Sequence, residues 1–369
     1  MADNTFPEAI LTSGKAGRAD LAAQVGYTVR NGGPGPLGLW WRLMRLRRSG
    51  LTVEEYLNYA LWRPGVTRND IAAFLPARRN RPLNDSLRDR RLPQLDPVIE
   101  DKLATLDHLA GLGLPVAAVA AVFGSGHDLP DEAALTAFLS GIGPQGMFGK
   151  PQRSSRAQGA VGIAGPGAPG RLQLLNGREV AVPTLAAEIV RDWPDGFLFQ
   201  PLVAIAAGLR SHLGAATGSL RIVSLMESGG PSVLYAVLKC PAPGEMHDGP
   251  TEGLRAFAPV DAATGIVGAV RRLDDPAGPD LSHWQNPDEA LTGLALPHFD
   301  QAVAAVLAGH AAMPGHGALG WDVFLTDDGA LISEVNANPH HDLWQKATRS
   351  GLMAAAWAAR IKARQSAVG

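Results

Sequence analysis

The chain has 369 residues, with 33 Lys and Arg against 35 Asp and Glu, a formal net charge of −2 that argues against a dedicated nucleic-acid binder. The length allows two or three compact units with a sizeable core, and no apolar run approaches the roughly 20 residues of a membrane span. The single Cys240 excludes an internal disulfide framework, and together with the lack of a signal-peptide core it points to a soluble protein of a reducing cytoplasm.

Residues 1–100 carry fifteen Lys and Arg against ten Asp and Glu, so the excess positive charge lies at the N-terminal end. Residues 1–38 are weakly patterned. Gly33-Pro34-Gly35-Pro36-Leu37-Gly38 and Gly165-Pro166-Gly167-Ala168-Pro169-Gly170 match the letters of a dinucleotide-binding turn. Their prolines remove the N–H groups that would hold a pyrophosphate, and neither follows a convincing strand. From Leu39 to Arg48 the pattern is that of an amphipathic helix, and Thr52-Val53-Glu54-Glu55 is a capping box that opens a second helix through Leu61. Arg78, Arg79, Arg81, Arg88, Arg90 and Arg91 follow. A solvated helical face explains them; a docking surface for an acidic partner, a membrane or a polymer is the alternative.

Helices are expected over residues 98–110, 131–139, 184–190, 300–311 and 352–363. Short strands are expected at 147–151, 160–163, 178–182 and 197–203, the last with a mid-run Pro201 that makes it an edge or a place where pairing stops. Residues 220–226 and 232–239 read as paired strands, as do 257–261 and 266–270. Helices and strands mixed without strict alternation indicate an α+β fold.

The densest signal is Trp321-Asp322-Val323-Phe324-Leu325, then Thr326-Asp327-Asp328-Gly329, then Ala330-Leu331-Ile332-Ser333-Glu334-Val335-Asn336. Two apolar runs around an Asp-Gly predict a hairpin. Strand side chains alternate, so Glu334 and Asn336 share a face. Asp322 joins them if the loop is Asp327-Asp328-Gly329, with Gly329 at positive φ; a one-residue slip sends Asp322 to the other face. Two carboxylates and an amide among apolar neighbours call for a cation between them, and Mg²⁺ with phosphate oxygens suits those hard donors. Pairing of Asp322 with a buried Arg, and capping of the turn before Pro339 by Asn336, is the other reading.

The run Gly320-Trp321-Asp322-Val323, Asp328-Gly329, Glu334-Val335-Asn336-Ala337-Asn338-Pro339 resembles the metal-binding end of the ATP-grasp fold. Arg221 within Gly218-Ser219-Leu220-Arg221-Ile222-Val223, and Leu294-Ala295-Leu296-Pro297-His298-Phe299, resemble more closely its sugar-transfer-associated group. The resemblance covers roughly residues 98–350. It implies a helical region over 1–97, a subdomain with a phosphate lid over 98–195 and a subdomain with the metal site over 196–369. It also implies ATP and two Mg²⁺ ions. Lys102, Lys150 and Ser154 of the lid would hold phosphates, Gln200, Pro201 and Leu202 would meet the adenine, and Asp322, Glu334 and Asn336 would hold the metal. Arg221 is the candidate to hold a carboxylate or its acyl phosphate, and Lys239, ending a strand, the candidate to reach the γ-phosphate. Lys150 is expected to be exposed in an open cleft.

The implied activity is ligation of a small-molecule carboxylate to an amine, in decorating glycans or in making a specialised metabolite. A small-molecule kinase and a non-catalytic nucleotide-binding subunit are the alternatives. The chain departs from the pattern in three places. The loop after Lys150 has one glycine, with Arg153 and Arg156 as substitutes by charge. Gln200 stands where an acid is common. Gly320 stands where some ligases place an arginine. His340, His341 and His247 are candidates to line the acceptor site, and polar loops account for them equally well.

Overall fold

The structure, a computed structural model, describes residues 9–12, 20–46, 49–155, 157–214, 217–246 and 255–369. Seven helices come first: α1 (Leu21–Arg30), α2 (Pro36–Leu46), α3 (Val53–Asn58), α4 (Arg68–Ala72), α5 (Ala77–Ser86), α6 (Asp96–Ile99) and α7 (Lys102–Gly111). Their starts follow from side-chain caps. Asp20 accepts from the N–H groups of Ala22 and Ala23, and Thr52 with Glu55 and Thr67 with Asp70 form capping boxes, each satisfying N–H groups that the helix leaves orphaned. Leu39, Tyr56, Leu57, Trp62, Ile71 and Phe74 give these helices a core of their own.

A six-stranded antiparallel sheet follows, built from β1 (Ala121–Phe123), β2 (Met147–Pro151), β3 (Val161–Pro166), β4 (Arg171–Leu174), β5 (Glu179–Ala181) and β6 (Phe197–Pro201) in the order β1-β6-β2-β3-β4-β5. Helices α8 (Glu132–Ser140) and α9 (Val182–Asp192) cover one face. Phe197 and Phe199 alternate into that helical core, which leaves Leu198, Gln200 and Lys150 on the opposite face. β6 lies past residue 195, where the sequence places a subdomain boundary, yet it pairs with β1 and β2 inside this sheet. Pairing does stop at Pro201. The Gly165–Gly170 stretch covers the end of β3 and the turn into β4, and its glycines serve the hairpin. Ile10 and Leu11 also belong to this unit, both donating backbone N–H to the carboxylate of Glu188 at 2.9 and 2.8 Å.

The second sheet holds β7 (Leu220–Glu227), β8 (Gly230–Cys240), β9 (Ala256–Val260), β10 (Arg271–Arg272), β11 (Ala318–Leu325) and β12 (Ala330–Asn336) in the order β10-β9-β8-β7-β11-β12. With α10 (Ala207–Leu213), α11 (Phe299–Ala311), α12 (Asp342–Thr348) and α13 (Ala355–Val368) it forms the rest of the chain. Ile222, Leu238, Trp321 and Val323 pack with Phe299, Val306 and Leu213 on one face. Val223, Tyr235, Val237 and Phe257 meet Ala347, Leu352 and Ile361 on the other. The segment before β1 ties the sheets together: Ile332 and Ala117 bond across the β12 edge, and Ala120 donates to Phe199 of β6. Residues 266–270, expected as a strand, make only isolated bridges, and β10 is the partner of β9. No described helix is long and apolar enough to cross a membrane.

The central hairpin pairs as the sequence requires at its functional end, but by a different route. The ladder closes at Leu325↔Ala330, one residue short of the expected Asp327-Asp328-Gly329 loop. The cause is Thr326, whose backbone N–H and hydroxyl both donate to the Gly329 carbonyl, at 2.8 and 2.9 Å, and so draw Thr326 into the turn. Gly329 has φ +143°. The slip would set Asp322 opposite Ser333. A bulge at Ser333 undoes it, so that Asp322 faces Glu334 and Gly320 faces Asn336.

The turn after β12 is held by two asparagines on α5. Asn80 and Asn84 are buried, one helical turn apart on one face. Both donate to Asn338 and to the Pro339 carbonyl, Asn84 at 2.7 and 3.1 Å. Asn84 Oδ1 can only accept, so the His341 Nε2 that bonds to it at 3.0 Å carries the proton, and Nδ1 accepts from the Tyr235 hydroxyl at 2.9 Å. Burial holds this imidazole neutral, its pKa pushed down to about 3. Asn84→Ala would strand His341 Nε2 and leave the Pro339 carbonyl to Asn80 alone, and we expect a loss of roughly 1–3 kcal/mol, read as the denaturant midpoint. A change within a few tenths would show that water replaces the amide.

Candidate active site

Cross-strand pairing lays out a row of charged and polar side chains on one face of the second sheet. Arg221 of β7 faces Asp322 of β11, which faces Glu334 of β12. Asn336 follows Glu334 by two, and Lys239 of β8 lies diagonal to Arg221 on the same face. The Asp322 carboxylate accepts both prongs of the Arg221 fork, at 2.7 and 2.8 Å, and Lys239 at 3.1 Å. All three side chains are about one-eighth exposed. Burial alone would raise the Asp322 pKa; Arg221 and Lys239 outweigh it and hold the carboxylate below its usual range. Burial would likewise weaken Arg221, and the charge of Asp322 more than restores it. The buried-arginine reading of Asp322 is therefore what the structure shows, and the turn before Pro339 is held by Asn80 and Asn84 rather than by Asn336.

Gly320 explains how Arg221 reaches this place. A Cβ there would lie 3.3 Å from Arg221 Nη1 and 2.8 Å from Pro339 Cβ. The space over Gly320 is filled by a guanidinium that comes from the neighbouring strand.

β2 of the first sheet contributes Lys150, and α7, which packs against β12 of the second, contributes Lys102. Lys150 is only 7% exposed, contrary to the open-cleft expectation. It lies inside β2 on the face away from α8 and α9, and its Nζ donates to the Ser333 carbonyl at 3.4 Å, a group the bulge leaves out of the ladder. Burial pushes its pKa down to about 8, with Lys102 adding to the fall and Glu334 opposing it. Lys102 is buried too and donates to the Ser154 carbonyl at 2.6 Å and hydroxyl at 3.3 Å. Its pKa is also lowered by burial, against Glu334 and Asp101. Asp101 both caps α7 and receives Gln152 and Arg153. The start of the loop after Lys150 is thereby fastened to the helix carrying Lys102, and Arg153 has its charge engaged there. Arg156 and His247 lie outside the described residues.

Below pH about 8 Lys150 is charged in the folded and unfolded chain alike, and its burial opposes folding. Between about 8 and the ordinary 10.5 the unfolded chain binds the extra proton, so stability contributed at this site rises with pH. We expect wild type to gain on Lys150→Met between pH 7.5 and 9.5 in urea midpoint. A constant gap would mean that Lys150 titrates as an exposed lysine does.

The remaining expected residues divide. Gln200 is buried and donates to the Ala117 carbonyl at 3.2 Å, while Pro201 is exposed and Leu202 half-buried beside it. His340 is exposed. His341 is committed to Tyr235 and Asn84 beneath the turn, which removes it from any acceptor-lining role. Asn80 and Asn84 were not singled out among the arginines around them, although their spacing of four on a helix was visible.

Among the described residues no three His, Cys, Asp or Glu side chains cluster as a metal site. A divalent ion here would rest on an oxygen set of two carboxylates and an amide. Glu334 and Asn336 make no side-chain hydrogen bond or ion pair among the described residues, and Asp322 keeps an acceptor position beyond those used by Arg221 and Lys239. That set fits Mg²⁺.

Residues 78–361 match the sugar-transfer associated ATP-grasp family. The chain belongs to that family. The two sheets are the two halves of the ATP-grasp fold, and the match reaches back to α5 with Asn80 and Asn84, beyond the 98–350 on which the resemblance rested. No curated protein matches the sequence. Among solved structures, VanG D-Ala:D-Ser ligase from Enterococcus faecalis is 11% identical, over 73% of this chain and 62% of that one, with a TM-score of 0.44. An N5-carboxyaminoimidazole synthase from Aspergillus clavatus, solved with ADP and 5-aminoimidazole ribonucleotide, is 13% identical over 66% and 46%, at 0.36. The ATP-grasp ligase PsnB, solved with a phosphomimetic variant of its minimal precursor, Mg and ADP, is 16% identical over 72% and 59%, at 0.35. The chain spans less than two thirds of the length of each of these proteins.

Proposed function

We propose that this ATP-grasp chain is an ATP- and Mg²⁺-dependent ligase that joins a carboxylate to an amine. The observation that carries the reading is the meeting of Lys150 from one sheet with Glu334, Asn336, Asp322, Arg221 and Lys239 from the other, and with Lys102 at the start of α7 beside them. The lysines suit a triphosphate, and the buried setting strengthens each charge. Glu334, Asn336 and the remaining position on Asp322 would hold one ion, or two with the phosphates. Mg²⁺ held there would supply neutralisation of the charge that develops during phosphoryl transfer. The hinge around Gln200, Pro201 and Leu202 would meet the adenine, with backbone rather than the engaged Gln200 amide.

In the reaction a substrate carboxylate oxygen bonds to the γ-phosphorus as the bond to ADP breaks. The amine nitrogen then bonds to the acyl carbon, phosphate leaves, and the amine loses a proton. Arg221, by the Nη1 that its pair with Asp322 leaves over, and Lys239 would hold the carboxylate or its acyl phosphate. The substrates belong to this proposal as small molecules of glycan or specialised-metabolite synthesis. A scan of amino acids and sugar acids as carboxylates, with amines, for release of ADP and phosphate tests it. ADP formed in step with an amide supports ligation; ADP formed with a phosphorylated acceptor and no amide would indicate a kinase. Tight ATP binding with no turnover on any pair would indicate a nucleotide-binding subunit.

A further inference from the structure

The seam between the N-terminal helices and the far end of the second sheet concentrates guanidiniums that the row does not use. A cavity of about 180 Å³ is lined by Arg255, Arg271, Arg272, Lys346 and Arg349, with Tyr59 beside them. A larger one of about 640 Å³ adjoins it through Arg349 and is walled by Leu61, Val66, Phe74 and Ala277, with Arg63. Arg271 faces Phe257, which faces Lys239, so the smaller cavity opens on the same sheet face as the row. Three strand spacings place it roughly 14 Å from Arg221.

The acids around this seam hold the cations from outside. Asp280 receives Arg271 at 2.8 and 2.9 Å and also Arg349 at 3.0 Å. Asp274 holds Arg272, Asp342 holds Lys346, and Asp275 is bonded by the Tyr27 hydroxyl. None of these four lines either cavity; Asp70, engaged with Thr67, lines the larger one. One carboxylate thus serves two guanidiniums, with Arg63 near both. Burial and this mutual repulsion lower the basicity of Arg63 and Arg349. Arg349 moreover is the left-handed residue that ends α12, at φ +54°, so its side chain leaves from the helix end between the two cavities. Like charge gathered at one residue between two cavities is a feature that a bound anion would relieve.

We propose that this seam binds a small organic molecule bearing a phosphate-type oxyanion, its head on Arg271 and Arg349 and its body in the larger cavity. Arginine forks match such a head, and the larger volume lies within the usual range of small-molecule sites. The assignment does not depend on ATP chemistry. Titration calorimetry with phenyl phosphate, at constant ionic strength, tests it. Saturable one-to-one binding is expected, tighter than that of inorganic phosphate, unchanged in Lys150→Ala and weakened about tenfold or more in Arg349→Gln. Lys346→Gln, at a half-exposed site, should weaken it severalfold and serves if Arg349→Gln fails to fold. No saturable binding would overturn the proposal, as would phenyl phosphate binding no tighter than phosphate. So would binding that is lost in Lys150→Ala and kept in Lys346→Gln, which would place the anion in the nucleotide cleft.

Discussion

Glu334→Gln should lower ATP turnover by a factor on the order of a hundred or more while leaving the nucleotide bound. Glu334 faces Lys102 and Lys150 across the cleft and has no hydrogen-bonding partner among the described residues, so its charge is available to a metal and to the phosphate lysines. Interactions that strengthen as charge develops between the β- and γ-phosphorus appear in kcat, whereas uniform binding appears in affinity. Losing one preorganised electrostatic contact has the first scale. Adenine contacts are untouched, so ATP affinity should fall by about tenfold, or ~1.4 kcal/mol. The same change removes the charge that supports protonation of Lys150, so the affinity loss should be larger at pH 8 than at pH 7. Parallel ATP titrations and ADP assays at saturating Mg²⁺ measure both. Wild-type turnover in the variant would make Glu334 a structural acid and the hairpin a scaffold.

The pairing of Asp322 with Glu334 was legible because period-two alternation and an Asp-Gly turn confine a hairpin to few registers. Its route was not. Thr326 entered the turn through a side-chain hydrogen bond, and Ser333 bulged without a glycine to announce it. The partner of Asp322 was legible only as an alternative, since which arginine reaches it depends on β7 lying beside β11. The expectation of an exposed Lys150 came from setting a phosphate-gripping lysine in an open cleft. Its burial comes from the other sheet, whose Ser333 carbonyl meets it. The asparagines of α5 were hidden for a similar reason: they act 254 and more residues away, on a turn whose position only the folded chain supplies. Caps, by contrast, are local. Thr52 with Glu55 was readable directly, and Asp131 capping α8 follows the same rule.

Arg221 allows the structural and chemical roles of a buried pair to be separated. Arg221→Met would leave the Asp322 carboxylate buried with Lys239 at 3.1 Å in place of a bidentate partner. Breaking such a pair costs about 3–5 kcal/mol, and Lys239 should hold the loss near the lower end. Against a typical total of roughly 5–15 kcal/mol, the variant should fold with a clearly lowered denaturant midpoint. Its turnover should fall on the order of a hundredfold or more, because a donor that suits both carboxylate and acyl phosphate is gone. Adding Asp322→Leu removes the stranded charge, and replacing both members of a buried pair by apolar groups is often nearly neutral. The double variant should therefore recover most of the lost stability. Turnover should not recover, since both the guanidinium and a metal-facing carboxylate are then absent. A double variant that regains stability and turns over as wild type would show the pair to be a structural lock, and would move the carboxylate-holding role to Lys239 alone.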